Sequence, residues 1–176
     1  MAKKRDIVLR HKIADYLNIG TPEEPNYVLL GTGFTTLDEE PGAQSESTKY
    51  INEASASSSI ISYETTFPFE SEHVLSQEGI DDIYGIARDH KVGADAEREY
   101  VRAELWNPVD GQTTKFKARK FTVAVEVSTY SGENKQVLSG NLNAVGDPVL
   151  GTFDTATKTF TADGETPAAQ AEQTEE

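Results

Sequence analysis

The run KFTVAVEVSTY, residues 120–130, limits the fold more than any other part of this 176-residue chain. Phe121, Val123, Val125 and Val127 alternate with Thr122, Ala124, Glu126 and Ser128. Successive side chains of a β-strand point to opposite faces, so the pattern predicts a strand with one bulky apolar face and one small, polar, acidic face. Further strands are predicted at 27–34, 59–70, 98–106, 136–144, 148–154 and 157–160. In 59–70, Ile61, Tyr63, Thr65 and Phe67 share a face; in 98–106, Val101, Ala103 and Leu105 oppose Arg98, Arg102 and Glu104. Asp110-Gly111, Ser131-Gly132-Glu133-Asn134 and Gly146-Asp147-Pro148 supply turns between them.

One helix is signalled, over residues 76–91. Ile80, Ile83, Tyr84 and Ala87 recur at i, i+3, i+4 and i+7 and form its core face. Ser76 is the candidate N-cap and Gly93 the candidate stop. Asp81 and Asp82 lie at the positive end of the helix dipole. Six or seven strands with one helix predict a mainly β fold, a β-sandwich or open barrel with one flanking α-helix. The folded domain is expected over 13–161. A mobile basic arm is expected over 1–12 and a disordered acidic tail over 162–176. Trp106, before Asn107-Pro108, reads as a core or strand-end anchor.

Residues 35–59, TTLDEEPGAQSESTKYINEASASSS, break the pattern. Their only bulky apolar groups are Leu37, Tyr50 and Ile51. A loop longer than about 12–15 residues without its own structure is uncommon in a compact domain, and is usually functional or disordered.

Thirty acidic against sixteen basic residues give a net charge of −14. Between Ile13 and Ala87 the only Lys or Arg is Lys49. A nonspecific DNA binder needs the opposite sign, because its affinity comes from neutralising phosphates. An acidic surface instead keeps a chain soluble, or lets it sit beside a polyanion without adhering. The sequence holds no Cys, hence no disulfide and no thiolate metal site, which fits synthesis in a cytoplasm. No run approaches the roughly 18 apolar residues of a membrane-spanning helix, and no membrane binding is expected.

No catalytic constellation is found, and neither an enzyme nor a cofactor or metal is expected. Gly31-Thr32-Gly33-Phe34 begins like a dinucleotide fingerprint but has Thr36 where the third glycine belongs. His11, His73 and His90 are scattered, and His90 beside Asp89 reads as a solvated helix end. Asp38-Glu39-Glu40 lacks the spacing of a calcium loop.

The polar face of 120–130 fits either an antiparallel sheet with one wet side or a subunit of a larger closed sheet, in which ring closure removes free edges. Three segments carry a resemblance: DYLNIGTPEEPNYVLLGTGFTTLDEEPGAQSESTKYINEASASSSIISYETTFPFESE, SQEGIDDIYGIARD and SGNLNAVGDPVLGTFD. Together they cover most of the expected domain. In the order and character of these segments the chain resembles the major tail proteins, the tail tube proteins of bacteriophages with long non-contractile tails.

The resemblance implies a β-sandwich-like subunit with one flanking helix, assembled as hexameric rings whose inner strands join into a continuous barrel. Rings stack into a tube around a tape measure protein and end at a tail terminator. DNA later passes through the emptied lumen without specific binding. The location implied is the virion tail. A long loop after the first strands reaches the adjacent ring, a role that falls on residues 35–59 with Leu37, Tyr50 and Ile51 as anchors. Glu126, Thr122, Ser128, Asn141 and Asn143 are the candidate lumen wall. Two alternatives stand beside this reading. One is a tube protein of a contractile tail or secretion apparatus; the other is a monomeric acidic β-sandwich that binds carbohydrate or mimics DNA.

Overall fold

In the computed structural model, which describes residues 6–164, the chain is mainly β and antiparallel, with one α-helix. The first strands are β1 (Ile13–Asn18), β2 (Tyr27–Leu29), β3 (Phe34–Leu37), β4 (Ala43–Thr48), β5 (Ser57–Tyr63) and β6 (Thr66–Glu72). The helix α1 (Glu78–Arg88) precedes β7 (Glu97–Pro108), β8 (Lys115–Ser131), β9 (Val137–Ala144), β10 (Val149–Asp154) and β11 (Thr159–Ala162).

The alternating run lies in β8, which is the spine of a nine-stranded sheet. On one side β8 pairs with β7, which leads to β1 and β2. On its other side β8 pairs with β10 along its first part and with β9 along its second. The sheet divides there. One branch continues from β10 to β11, the other from β9 through β6 to β3. The hairpin β4–β5 forms a separate two-stranded sheet.

Residues directly opposite one another in antiparallel strands share a face. Leu17, Tyr100, Phe121, Val123, Val125, Leu142, Phe67 and Phe69 therefore gather on one face, which Ile83 and Ile86 of α1 cover. Phe67 has no exposed surface, and its ring centre lies 4.7 Å from that of Tyr100 and 4.9 Å from that of Phe121. Burying a side chain of this kind contributes roughly 1.5–3 kcal/mol. Asp82 fixes the helix to the sheet by accepting two bonds from Arg98, at 2.8 and 3.0 Å. The opposite face of the sheet is covered at one end only, where Phe153 of β10 packs on Tyr16, Tyr27, Val101 and Ala103.

Several sequence expectations need correction. The helix is shorter than 76–91, and its N-cap is Gln77. Ser76 has φ 66° and donates its hydroxyl to the Leu75 carbonyl, so it does not cap the free N–H groups. The stop is His90, not Gly93: at φ 51° it lets Lys91 N–H donate back to the Ile86 carbonyl. Ile80 and Ile83 are buried as expected, joined by Gly79 and Ile86, while Tyr84 and Ala87 are half-buried at the margin.

The strand expected over 27–34 breaks at Gly31–Gly33. There Gly33 takes φ 94°, and an added Cβ would lie 2.7 Å from Ile80 Cδ1. The strand expected over 59–70 is two strands. Ile61 and Tyr63 are exposed on β5, whereas Phe67 and Phe69 are buried on β6. Arg102 lies opposite Val101 and Ala103 as the alternation implies, and it is buried as they are, because both faces of β7 are covered at that point. Trp106 is half-exposed near the end of β7. At the margins, Arg10–Lys12 form a 3-10 turn, and β11 runs through Ala162 into the expected tail. The remainder of that tail, 165–176, and residues 1–5 of the arm lie outside the described residues.

Candidate functional site

Two surfaces are left uncovered by this architecture. The first is the polar end of the sheet. Thr122, Glu126 and Ser128 on β8 are exposed, and Asn141 and Asn143 on β9 are half-exposed. The register sets Glu126 against Asn141 and Ala124 against Asn143. Asn143 Nδ2 donates to Glu126 Oε2 at 2.8 Å, and Ser128 Oγ donates to Glu126 Oε1 at 3.3 Å. Thus four of the five wall candidates converge on one patch, with Thr122 two register positions further along β8. Gly140 makes this approach possible: a Cβ there would sit 1.9 Å from the Glu126 carbonyl oxygen, beside the bulge between Val127 and Thr129.

The same face extends beyond the candidates named from sequence. Glu99 and Glu97 of β7 oppose Thr122 and Ala124; Thr66, Pro68 and Glu70 of β6 oppose Asn143, Asn141 and Ser139. Alternation placed each on a strand face, but only strand pairing brings the four strands side by side. The positions named carry four carboxylates, and Lys120, two residues before Thr122 on the same face of β8, offsets one of them, Glu99. At the margin, Glu99 accepts from Tyr27 Oη (2.8 Å), Lys120 Nζ (3.0 Å) and Asn18 Nδ2 (3.1 Å). Burial pushes the Glu99 carboxyl up, but the bonds from Lys120, Tyr27 and Asn18 outweigh it and hold the group below the usual carboxylate range. Burial, reinforced by the Glu99 charge, pushes the Tyr27 phenol far above its ordinary range.

The second surface is the β4–β5 hairpin. The stretch expected as an unstructured loop over 35–59 is not one: it contains the end of β3, all of β4 and the start of β5. Every residue of β4 and β5 is nevertheless exposed, so the hairpin stands off the body. Tyr50 and Ile51 are exposed at its turn, and Ile60, Ile61 and Tyr63 are exposed along β5. A register shift at Gln44/Ser45 leaves Ile61 without a partner opposite, a bulge that brings an extra apolar side chain to the surface. Leu37 is not an anchor for a neighbour: it is 2% exposed, opposite Phe69 in the chain's own core.

The base of the hairpin is held by charged residues that sequence reasoning missed. Glu39 accepts two bonds from Arg119, at 2.6 and 2.8 Å, and lies 3.5 Å from Arg102 Nε. Arg119 and Arg102 rest over the rings of Phe121 and Phe67, at 5.6 and 5.9 Å. Glu40 and Thr66 exchange two backbone bonds, closing the neck. Only folding brings Arg102 and Arg119 to the Asp-Glu-Glu run, so local sequence gives no sign of these pairs.

Asp81 and Asp82 are pulled apart as adjacent helical residues must be, towards His73 and Arg98 respectively. Among the described residues, no group of three or more His, Asp or Glu side chains is placed to hold a metal ion, and no helix is long and apolar enough to cross a membrane. No family model matches the chain, and no curated protein matches it.

Proposed function

We propose that this chain is a structural virion protein that polymerises as stacked rings into a bacteriophage tail tube, a conduit for DNA. The observation that carries the reading is the hairpin: two strands with every residue exposed, both outer edges unpaired among the described residues, and five large apolar side chains in solvent along β5 and at the turn. Such a surface is an aggregation liability unless a partner covers it. A second copy of the chain in the adjacent ring is the proposed partner, with Tyr50 and Ile51 as the contacts at the tip.

The acidic sheet face supports the same reading. DNA sliding past Glu70, Glu97 and Glu126 releases few counterions, so the wall does not hold it. At physiological salt this repulsion reaches roughly 8 Å, which makes the wall a non-adhesive lining and not a motor. The net charge of −14 keeps free subunits apart until specific contacts outweigh repulsion. Hexameric rings, the tape measure protein and the tail terminator belong to the proposal through the resemblance described above.

Sedimentation tests it. The wild-type chain is expected to form fast-sedimenting polymers, and Tyr50→Ser/Ile51→Asp is expected to leave a folded slow species. Polymers of equal size from both proteins would remove the hairpin tip from the contact.

A further inference from the structure

Five charged residues form one continuous chain through the body. Arg10, at the end of the N-terminal arm, donates from Nη2 to Asp15 Oδ2 (2.7 Å) and to the Leu37 carbonyl (2.9 Å), and from Nη1 to the Ile13 carbonyl (3.1 Å). Asp15 is 2% exposed; its other oxygen accepts from Tyr100 Oη and faces Arg102 Nη1 at 3.6 Å. Arg102 is 6% exposed and lies 3.5 Å from Glu39, which Arg119 grips with two bonds. The arm, β1, β7, the hairpin base and β8 are thereby joined.

The decisive geometry is at Arg102. Its guanidinium stands almost equidistant from two carboxylates, 3.6 Å from Asp15 and 3.5 Å from Glu39, in close contact with neither. Each carboxylate has its own near cation, Arg10 for Asp15 and Arg119 for Glu39. A buried carboxylate that loses its near cation draws strongly on whatever positive charge remains. Removing Arg10 thus pulls Arg102 towards Asp15 and away from Glu39; removing Arg119 pulls it the other way.

We propose that Arg102 is a shared positioning residue that couples the N-terminal arm to the hairpin. Seating of Arg10 on Asp15 frees Arg102 to support Glu39, and so fixes the neck from which the hairpin projects. Coupling of this kind is reciprocal, so the state of the neck is also felt at the arm. Its consequence for assembly rests on the tube reading: a subunit whose arm is seated presents a fixed hairpin to the next ring. The coupling itself does not depend on that reading.

Amide hydrogen exchange on the full unassembled chain tests it. Arg10→Gln is expected to speed exchange at Glu40 and Thr66 by about tenfold, the scale of one lost charged hydrogen bond. Arg119→Gln is expected to slow exchange at the Lys12 amide, which bonds to the Leu9 carbonyl, because Arg102 leaves Asp15 for Glu39 and Asp15 then holds Arg10 more tightly, although Arg119 does not touch the arm. Arg10→Lys keeps a cation beside Asp15 and is expected to restore the neck. Three results overturn the proposal: an unchanged neck in Arg10→Gln, an unchanged or looser arm in Arg119→Gln, or Arg10→Lys exchanging like Arg10→Gln, which assigns the effect to the Leu37 carbonyl alone. If a variant also loosens Val123 and Leu142 in the core, the double variant decides: additive effects contradict a shared Arg102, and non-additive ones support it. Absence of polymers counts against the tube reading only.

Discussion

Arg119 and Glu39 lie 80 positions apart in sequence and meet through two parallel hydrogen bonds of 2.6 and 2.8 Å. A fork of this kind fixes direction as well as distance. Hydrogen bonding to Glu39 holds the Arg119 guanidinium above its ordinary range, against the opposing effect of burial. The pair pins the outward-reaching hairpin to β8, the 17-residue strand at the centre of the sheet. Without such a neck, exposed β4 and β5 have no contact that sets their angle to the body.

The neck makes a stability prediction. Arg102→Ala leaves Asp15 and Glu39 each short of one cation and strips a stem from the ring of Phe67. The expected loss is about 3 kcal/mol in denaturant unfolding, because an uncompensated buried charge is costly. A loss below about 0.5 kcal/mol is the size of an ordinary surface change and would show that Arg102 carries no load.

Leu37 and Ile51 are expected to behave oppositely, although both are bulky aliphatics in the same polar stretch. Leu37→Ala opens a cavity beside Phe69 and should lower stability by about 2–5 kcal/mol. Ile51→Asp should leave the unfolding midpoint unchanged while reducing self-association. Calorimetry and sedimentation on the same two proteins check both halves.

Acid sensitivity follows from Glu99. Its folded carboxyl is held below the usual range, so its contribution is present above the unfolded value of about 4.5 and is lost as pH falls through the lower folded value. Glu99→Gln should flatten the stability profile below pH of about 4.5. At the alkaline end the sign reverses. Tyr27 and Tyr100 are held protonated in the fold, by burial first and then by Glu99 and Asp15, so stability should fall once pH exceeds the ordinary phenol value of 10.0. Urea midpoints across pH measure both limbs.

Glu126→Lys tests the wall. It places a cation where Asn143 and Ser128 now hold a carboxylate, and the exposed site tolerates it without unfolding. Tubes are expected to form, and DNA passage through them to slow, most clearly at low salt where screening is weakest. Ejection kinetics of particles carrying the substitution provide the measurement; unchanged passage at low salt removes Glu126 from the lumen.

Much of the sheet was legible because β8 is wet on one side and dry on the other, so period-two alternation reports its faces directly. Phe121, Val123 and Val125 are buried and Thr122 and Glu126 exposed, as their spacing implies. Reading failed where this condition does not hold. β1 is buried on both faces, so ADYLN shows no alternation and gave no strand. β4 and β5 are exposed on both faces, so AQSEST offered no apolar signal and passed for loop. The burial of Arg102 left no local signal, because its carboxylate partners lie far away in sequence. The polar patch was visible on β8 and β9, but its extension to Glu70, Glu97 and Glu99 depends on strand order, which local pattern does not encode.

Negative-stain electron microscopy of the purified full chain tests the central claim most directly. The account predicts rings or hollow tubes from the wild-type protein and their loss in Tyr50→Ser/Ile51→Asp. A uniform field of single subunits at every concentration, unaltered by that substitution, would contradict it.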